Sequence, residues 1–161
     1  MMNDQSVRLD RMRFTKNTTS SRLVLLAIVL DALYFVSLYR INLDYYYNMM
    51  MGASILYNLV FMLAAFLASE GVKNYKQSYS GVLCVLCVIQ IARIFILPVP
   101  AHQATVTVGG ETLLAMNNEQ FTWAVIYLMG SAACLFVAAV INFTKSRALK
   151  AHIAGLEGQK A

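Results

Sequence analysis

A chain of 161 residues that is 59% hydrophobic and 13% charged, with a mean hydropathy of +0.59, has too few charged side chains to cover a water-soluble domain. The length suits one domain. The net charge of +5 does not indicate nucleic-acid binding, because the cations flank apolar segments and form no patch interleaved with aromatics; attraction to an anionic membrane surface fits better.

The first 22 residues form a basic arm carrying Arg8, Arg11, Arg13, Lys16 and Arg22. Its RLDRMRF stretch is read as a short interfacial helix or as disordered. Four long apolar runs follow: Leu23 to Tyr39, Met49 to Ala68, Val82 to Pro98 and Phe121 to Phe143. Each approaches the roughly 20 residues that cross a bilayer as a helix. None alternates as a strand would, and hydrocarbon offers no partner to unpaired backbone groups. The expected fold is therefore all-α: a polytopic membrane protein with a bundle of four transmembrane helices over residues 23–143. The first run outlasts a signal-peptide core and ends without a small-residue cleavage site, so it reads as a retained helix.

Lysine and arginine set the direction. Lys73 and Lys76 lie between the second and third runs, and Lys145, Arg147, Lys150 and Lys160 lie in the tail of residues 144–161, whereas the other two connections hold Arg40 alone. By the positive-inside rule both termini face the cytoplasm, in a plasma or bacterial inner membrane. Tyr39, Tyr45, Tyr46 and Tyr47 at the first outer turn, with Phe121 and Trp123 at the start of the fourth run, suit rings at headgroup level.

Pro98 and Pro100 are expected to stop the third helix. In the outer loop over residues 99–120, ATVTV and ETLL flank Gly109-Gly110. Two glycines accept the positive φ values of a primed turn, which predicts a small β-hairpin. Gly109, Gly110 and Glu111 at its tip are candidate partner contacts. The plainer alternative is a polar connector.

The most informative residue is Arg93, deep within an apolar run. A charge at the bilayer centre costs about 2.5–3.5 kcal/mol on insertion scales, so it needs a partner inside the protein. Measured from the basic borders at about 1.5 Å per residue, Arg93 lies about 16 Å deep and Asp31 about 12 Å, so the two can meet. Gln90 is three residues before Arg93, Tyr34 three after Asp31, and Ser54 four before Asn58. These spacings put each pair on one side of its helix. A buried network of Asp31, Asn58, Gln90 and Arg93 is expected, with Tyr34 and Tyr57 as hydroxyl contributors. It serves either to fix helix neighbours or to line a transport site.

Other chemistry is weakly signalled. Cys84 and Cys87 have dithiol spacing, but they sit near the reducing side without a neighbouring cation in the sequence to favour a thiolate. His102 and His152 fall on opposite sides, which excludes joint haem ligation, and no cluster has zinc spacing. No cofactor, metal or catalytic group is assigned. The small-residue run Gly130 to Cys134, including Ala133, and the strip Ala64, Ala65 and Ala68 permit close helix approach, either within the chain or toward another subunit. The nine methionines, among them Met49 to Met51, suit an adaptable hydrophobic contact. The expected role is an accessory or assembly subunit of a larger membrane complex, meeting lipids and other subunits or a second copy. A small transporter or channel is the alternative, and a thiol oxidoreductase a weaker one.

Overall fold

The computed structural model describes residues 4–41 and 49–158. Helix α1 (Asp4–Phe14) precedes α2 (Thr18–Leu38), α3 (Met49–Lys73) and α4 (Ser78–Ile96). A six-residue helix α5 (Pro98–Gln103), strands β1 (Thr105–Val108) and β2 (Glu111–Leu114), and the long helix α6 (Asn118–Gly158) complete the order. Tyr45, Tyr46 and Tyr47 lie outside the described residues, as do the side chains of Met49 to Met51.

Among the described residues, four helices are long and apolar enough to cross a membrane. They outlast the apolar runs: α2 begins at Thr18 rather than Leu23, α3 continues to Lys73, α4 begins at Ser78, and α6 runs from Asn118 to Gly158. Hydropathy marks where a helix can touch lipid, whereas the i to i−4 ladder continues as long as polar residues keep helical geometry. The limits set at residues 22 and 143 therefore fall inside helices, and the basic tail through Gly158 continues α6. Helix α1 packs on that extension, where Asp10 lies 2.9 Å from His152 Nε2.

Helix α2 packs against α3 and α6, and α4 also packs against α3 and α6, so the four long helices form a closed ring. Their buried positions recur at alternating steps of three and four. They are Ser20, Val24, Ala27, Asp31, Tyr34 and Leu38 on α2, and Asn58, Phe61, Ala65, Ala68 and Val72 on α3. Ser80, Leu83, Cys87, Gln90 and Ile94 follow on α4, and Ala124, Leu128, Ser131, Leu135, Ala138 and Asn142 on α6. That 3.5-residue repeat is the seam of left-handed helix packing. Small side chains on it bring backbones close, which matters where water does not drive helices together.

The polarity of this seam is inverted relative to a soluble protein. Asp31, Asn58, Gln90, Ser131 and Asn142 are buried, while Leu25, Val29, Leu59, Leu63, Phe66, Val88, Phe95, Phe136 and Val140 are exposed. Every described lysine and arginine except Arg40 and Arg93 belongs to α1, its connection to α2, the start of α2, the end of α3 and the turn after it, or the last part of α6. These segments meet at one end of the ring: Asn17 N–H donates to the Lys73 carbonyl (2.9 Å), and Asn142 Nδ2 donates to the Lys76 carbonyl (3.1 Å).

At the other end the prolines do more than stop a helix. Leu97 breaks α4 with φ −124°, and Pro98 then opens α5 at a position where its missing N–H costs nothing. Helix α5 leads into the hairpin, whose register pairs Val108 with Glu111 across Gly109 (φ +62°) and Gly110 (φ +90°). Both central residues hold positive φ, as a primed two-residue turn requires. The hairpin is tied at its base rather than along its faces. Ala115 N–H donates to the Ala104 carbonyl (2.9 Å), Met116 is buried, and His102 stacks on Phe121 with centroids 4.6 Å apart. Strand β2 is exposed throughout.

Candidate functional site

The heptad seam carries a polar layer between two apolar clusters. Toward the basic end lie Val24, Ala27, Phe61, Leu83, Leu86 and Leu135, and toward the hairpin end Tyr34, Leu38, Ile94, Met116 and Leu128. Asp31, Asn58, Gln90, Arg93 and Ser131 sit at the level between them.

Arg93 organises this layer. Its Nη1 donates to Asp31 Oδ1 at 2.8 Å and its Nη2 to Asn58 Oδ1 at 2.7 Å, so one guanidinium joins α4 to α2 and to α3. The planar fork delivers two bonds in fixed directions, which an ammonium cannot do. The guanidinium carbon lies over the rings of Tyr34 and Tyr57, 4.5 Å and 4.4 Å from their centroids. A cation between two ring faces is attracted by both quadrupoles, most strongly away from water. Tyr34 and Tyr57 thus reach the arginine through their rings.

Gln90 extends the layer to the fourth long helix. Its Nε2 donates to Asp31 Oδ1 (2.9 Å) and to Ser131 Oγ (3.1 Å), and Ser131 in turn donates to the Ala27 carbonyl (3.0 Å). Asn58 Nδ2 donates to the Ser54 carbonyl one turn earlier, at 2.7 Å. The structure therefore brings Asp31, Asn58, Gln90, Arg93, Tyr34 and Tyr57 together and adds Ser131 from the small-residue run. Among the described residues, Asp31 Oδ2, Gln90 Oε1 and the Tyr57 hydroxyl are buried and find no hydrogen-bond partner.

The remaining candidates disperse. Gly109, Gly110 and Glu111 are exposed at the hairpin tip. Gly130 faces α2, since a Cβ there would lie 3.2 Å from Leu30 Cδ1, and Ser131 and Ala132 are buried, so most of that small-residue run serves packing inside the ring. Ala133 is exposed on the outer face. The three cysteines are free thiols, with Cys84 exposed and Cys87 in the core, so the dithiol spacing does not set two accessible sulfurs side by side. Among the described residues no group of three His, Cys, Asp or Glu side chains could hold a metal ion.

A second polar knot, at the basic end, was missed by the sequence reading. Asn142 Nδ2 donates to Ser80 Oγ (2.8 Å) and to the Lys76 carbonyl (3.1 Å), and its Oδ1 receives Asn17 Nδ2 (3.4 Å). Ser21 and Ser69 hydroxyls meet at 2.8 Å beside it. The available signal was Asn142 alone within VAAVINF, in heptad register with Ser131. Asn142→Ala removes both donors at once and is expected to destabilise the protein by about 1–2 kcal/mol, read as thermal unfolding in a mild detergent; Asn142→Gln should not restore the loss, because its amide sits one methylene further out.

No protein-family model, curated protein or solved structure matches this chain.

Proposed function

We propose that the chain is a polytopic membrane protein whose four long helices span a plasma or bacterial inner membrane as a bundle, with both termini in the cytoplasm. The observation that carries this reading is the inversion of polarity: amides, a carboxylate and a guanidinium point inward, and leucine, valine and phenylalanine coat the outside. The concentration of lysine and arginine at one end supports the orientation.

Within that frame the reading that fits best is an accessory or assembly subunit of a larger membrane complex, which contacts partners through the hairpin and an outer helix face. The hairpin projects from a hydrogen-bonded base with Leu113 exposed on β2. An exposed strand edge can pair with another chain. The test is purification in mild detergent from the native membrane. A stoichiometric partner is expected, and Leu113→Asp should release it while the protein stays folded. A lone, monodisperse wild-type protein would sink this role.

Transport is the second reading, favoured by one observation: Asp31 Oδ2, Gln90 Oε1 and the Tyr57 hydroxyl are buried and have no hydrogen-bond partner among the described residues. Flux into liposomes that disappears in a folded Asp31→Asn variant would favour it over the subunit role.

A further inference from the structure

At the basic end, between the start of α4 and the middle of α6, runs an open groove of about 620 Å³. This lies within the range of ligand sites, about 300–1,000 Å³. Its lining changes character along its length. Gln77, Ser78 and Lys150 line it toward the basic end, Gly81 and Phe143 come next, and Cys84, Ala139 and Val140 lie deeper. No carboxylate lines it. Phe143 and Lys150 are seven residues apart on α6, two turns along one face, so the apolar floor leads directly to the cation. From Ser78 to Cys84 the α4 wall descends about 9 Å. Gly81 leaves the floor of this wall open, since a Cβ added there would meet nothing within 4 Å.

A cation and two polar groups at headgroup level, continuous with an apolar channel directed into the acyl region, match an amphiphile with a negative head. We infer that this groove is a binding site for an anionic phospholipid of the cytoplasmic leaflet, with its phosphate at Lys150 and Ser78 and an acyl chain along Gly81, Cys84 and Phe143. Charge complementarity selects the anionic headgroup: Arg147 and Lys76 stand at the same end of the ring and raise the local positive potential. The inference rests on the membrane reading above.

Native mass spectrometry of the full chain in a neutral detergent, titrated with phosphatidylglycerol or with phosphatidylcholine of identical acyl chains, tests it. Wild type is expected to hold phosphatidylglycerol about fivefold more tightly, the factor that one lysine near an anionic surface supplies. Lys150→Gln should remove most of this preference, and Gly81→Leu should fill the floor and lower retention of both lipids. A preference unchanged in Lys150→Gln overturns the proposal, as does wild-type retention of both lipids by Gly81→Leu. Displacement of phosphatidylglycerol by an equal concentration of inorganic phosphate would also overturn it, reducing the site to an ion contact. If Gly81→Leu does not fold, Lys150→Gln decides alone, because Lys150 is exposed on the helix extension. Recovery of the wild type from the aqueous fraction without detergent removes the membrane reading and this inference together. A detergent-dependent protein without lipid preference removes the inference only.

Discussion

Arg93→Met is expected to destabilise the protein by about 3–5 kcal/mol, because it leaves the Asp31 carboxylate buried without its cation. Asp31→Ala should cost a similar amount, since the guanidinium then remains between Tyr34 and Tyr57 with only Asn58 as an acceptor. The informative variant is the double one. A buried ion pair replaced by apolar side chains of similar volume is often neutral or stabilising, so Asp31→Leu combined with Arg93→Met is expected to recover most of what either single change loses. Thermal unfolding in mild detergent, followed by helical circular dichroism and checked for monodispersity, measures all three. Additive losses in the double variant would refute a coupled pair. Arg93→Lys adds a geometric control: it keeps the charge but cannot reach Asp31 and Asn58 through a planar fork, and should fall between wild type and Arg93→Met.

The same cycle separates architecture from activity. If the pair only fixes which helices are neighbours, the recovered double variant keeps whatever partner binding the wild type has. If Asp31 works on a ligand, the double variant is folded and inactive. Stability alone does not distinguish these outcomes, because both readings require the charge to be paired in the resting state.

The sequence disclosed the polar layer more readily than it did the fold's detailed limits. In a soluble protein an apolar stripe against polar surroundings marks the buried face of a helix. Here leucine and valine lie on both sides, and the buried face is distinguished by its rarer polar residues, so Asp31, Asn58, Gln90 and Arg93 are conspicuous in the sequence while Ala27, Phe61 and Leu135 are not. Depth counting worked because α2 and α4 both start at the basic end and rise equally per residue. Ring stacking around the guanidinium was not legible, because it depends on how α2 and α3 are rotated about their axes. Asn142 and Asn17 were missed for a different reason. Polar residues near the ends of apolar runs ordinarily reach water or headgroups, and only the extension of α2 and α6 beyond the apolar runs turns these two inward. The hairpin was legible because its turn chemistry is local: Gly109-Gly110 between β-branched stretches specifies the connection whatever surrounds it.

Gly71→Ala is expected to destabilise the protein by about 3 kcal/mol, the upper part of the usual range for overpacking. By helix propensity alone the same change should stabilise α3 by about 1 kcal/mol, so the sign of the measured effect shows which contribution dominates. Packing should, because the Tyr79 ring lies flat against the Gly71 backbone. A Cβ at residue 71 would fall 2.3 Å from Tyr79 Cγ and 2.4 Å and 2.6 Å from the two adjoining ring carbons. These are the root atoms of the ring rather than a flexible tip, so relief requires α3 and α4 to separate. The turn gives little room for that. The Gly71 carbonyl accepts Lys76 N–H (3.2 Å), the Val72 carbonyl accepts Tyr75 N–H (3.1 Å), and Tyr75 holds φ +54°, the left-handed residue of a Schellman closure. Tyr79→Ala supplies the control. In that background the obstructing ring is gone, and Gly71→Ala should become neutral or stabilising by up to about 1 kcal/mol. A penalty that persists without the ring would place the strain in the turn itself and not in the contact between the two helices.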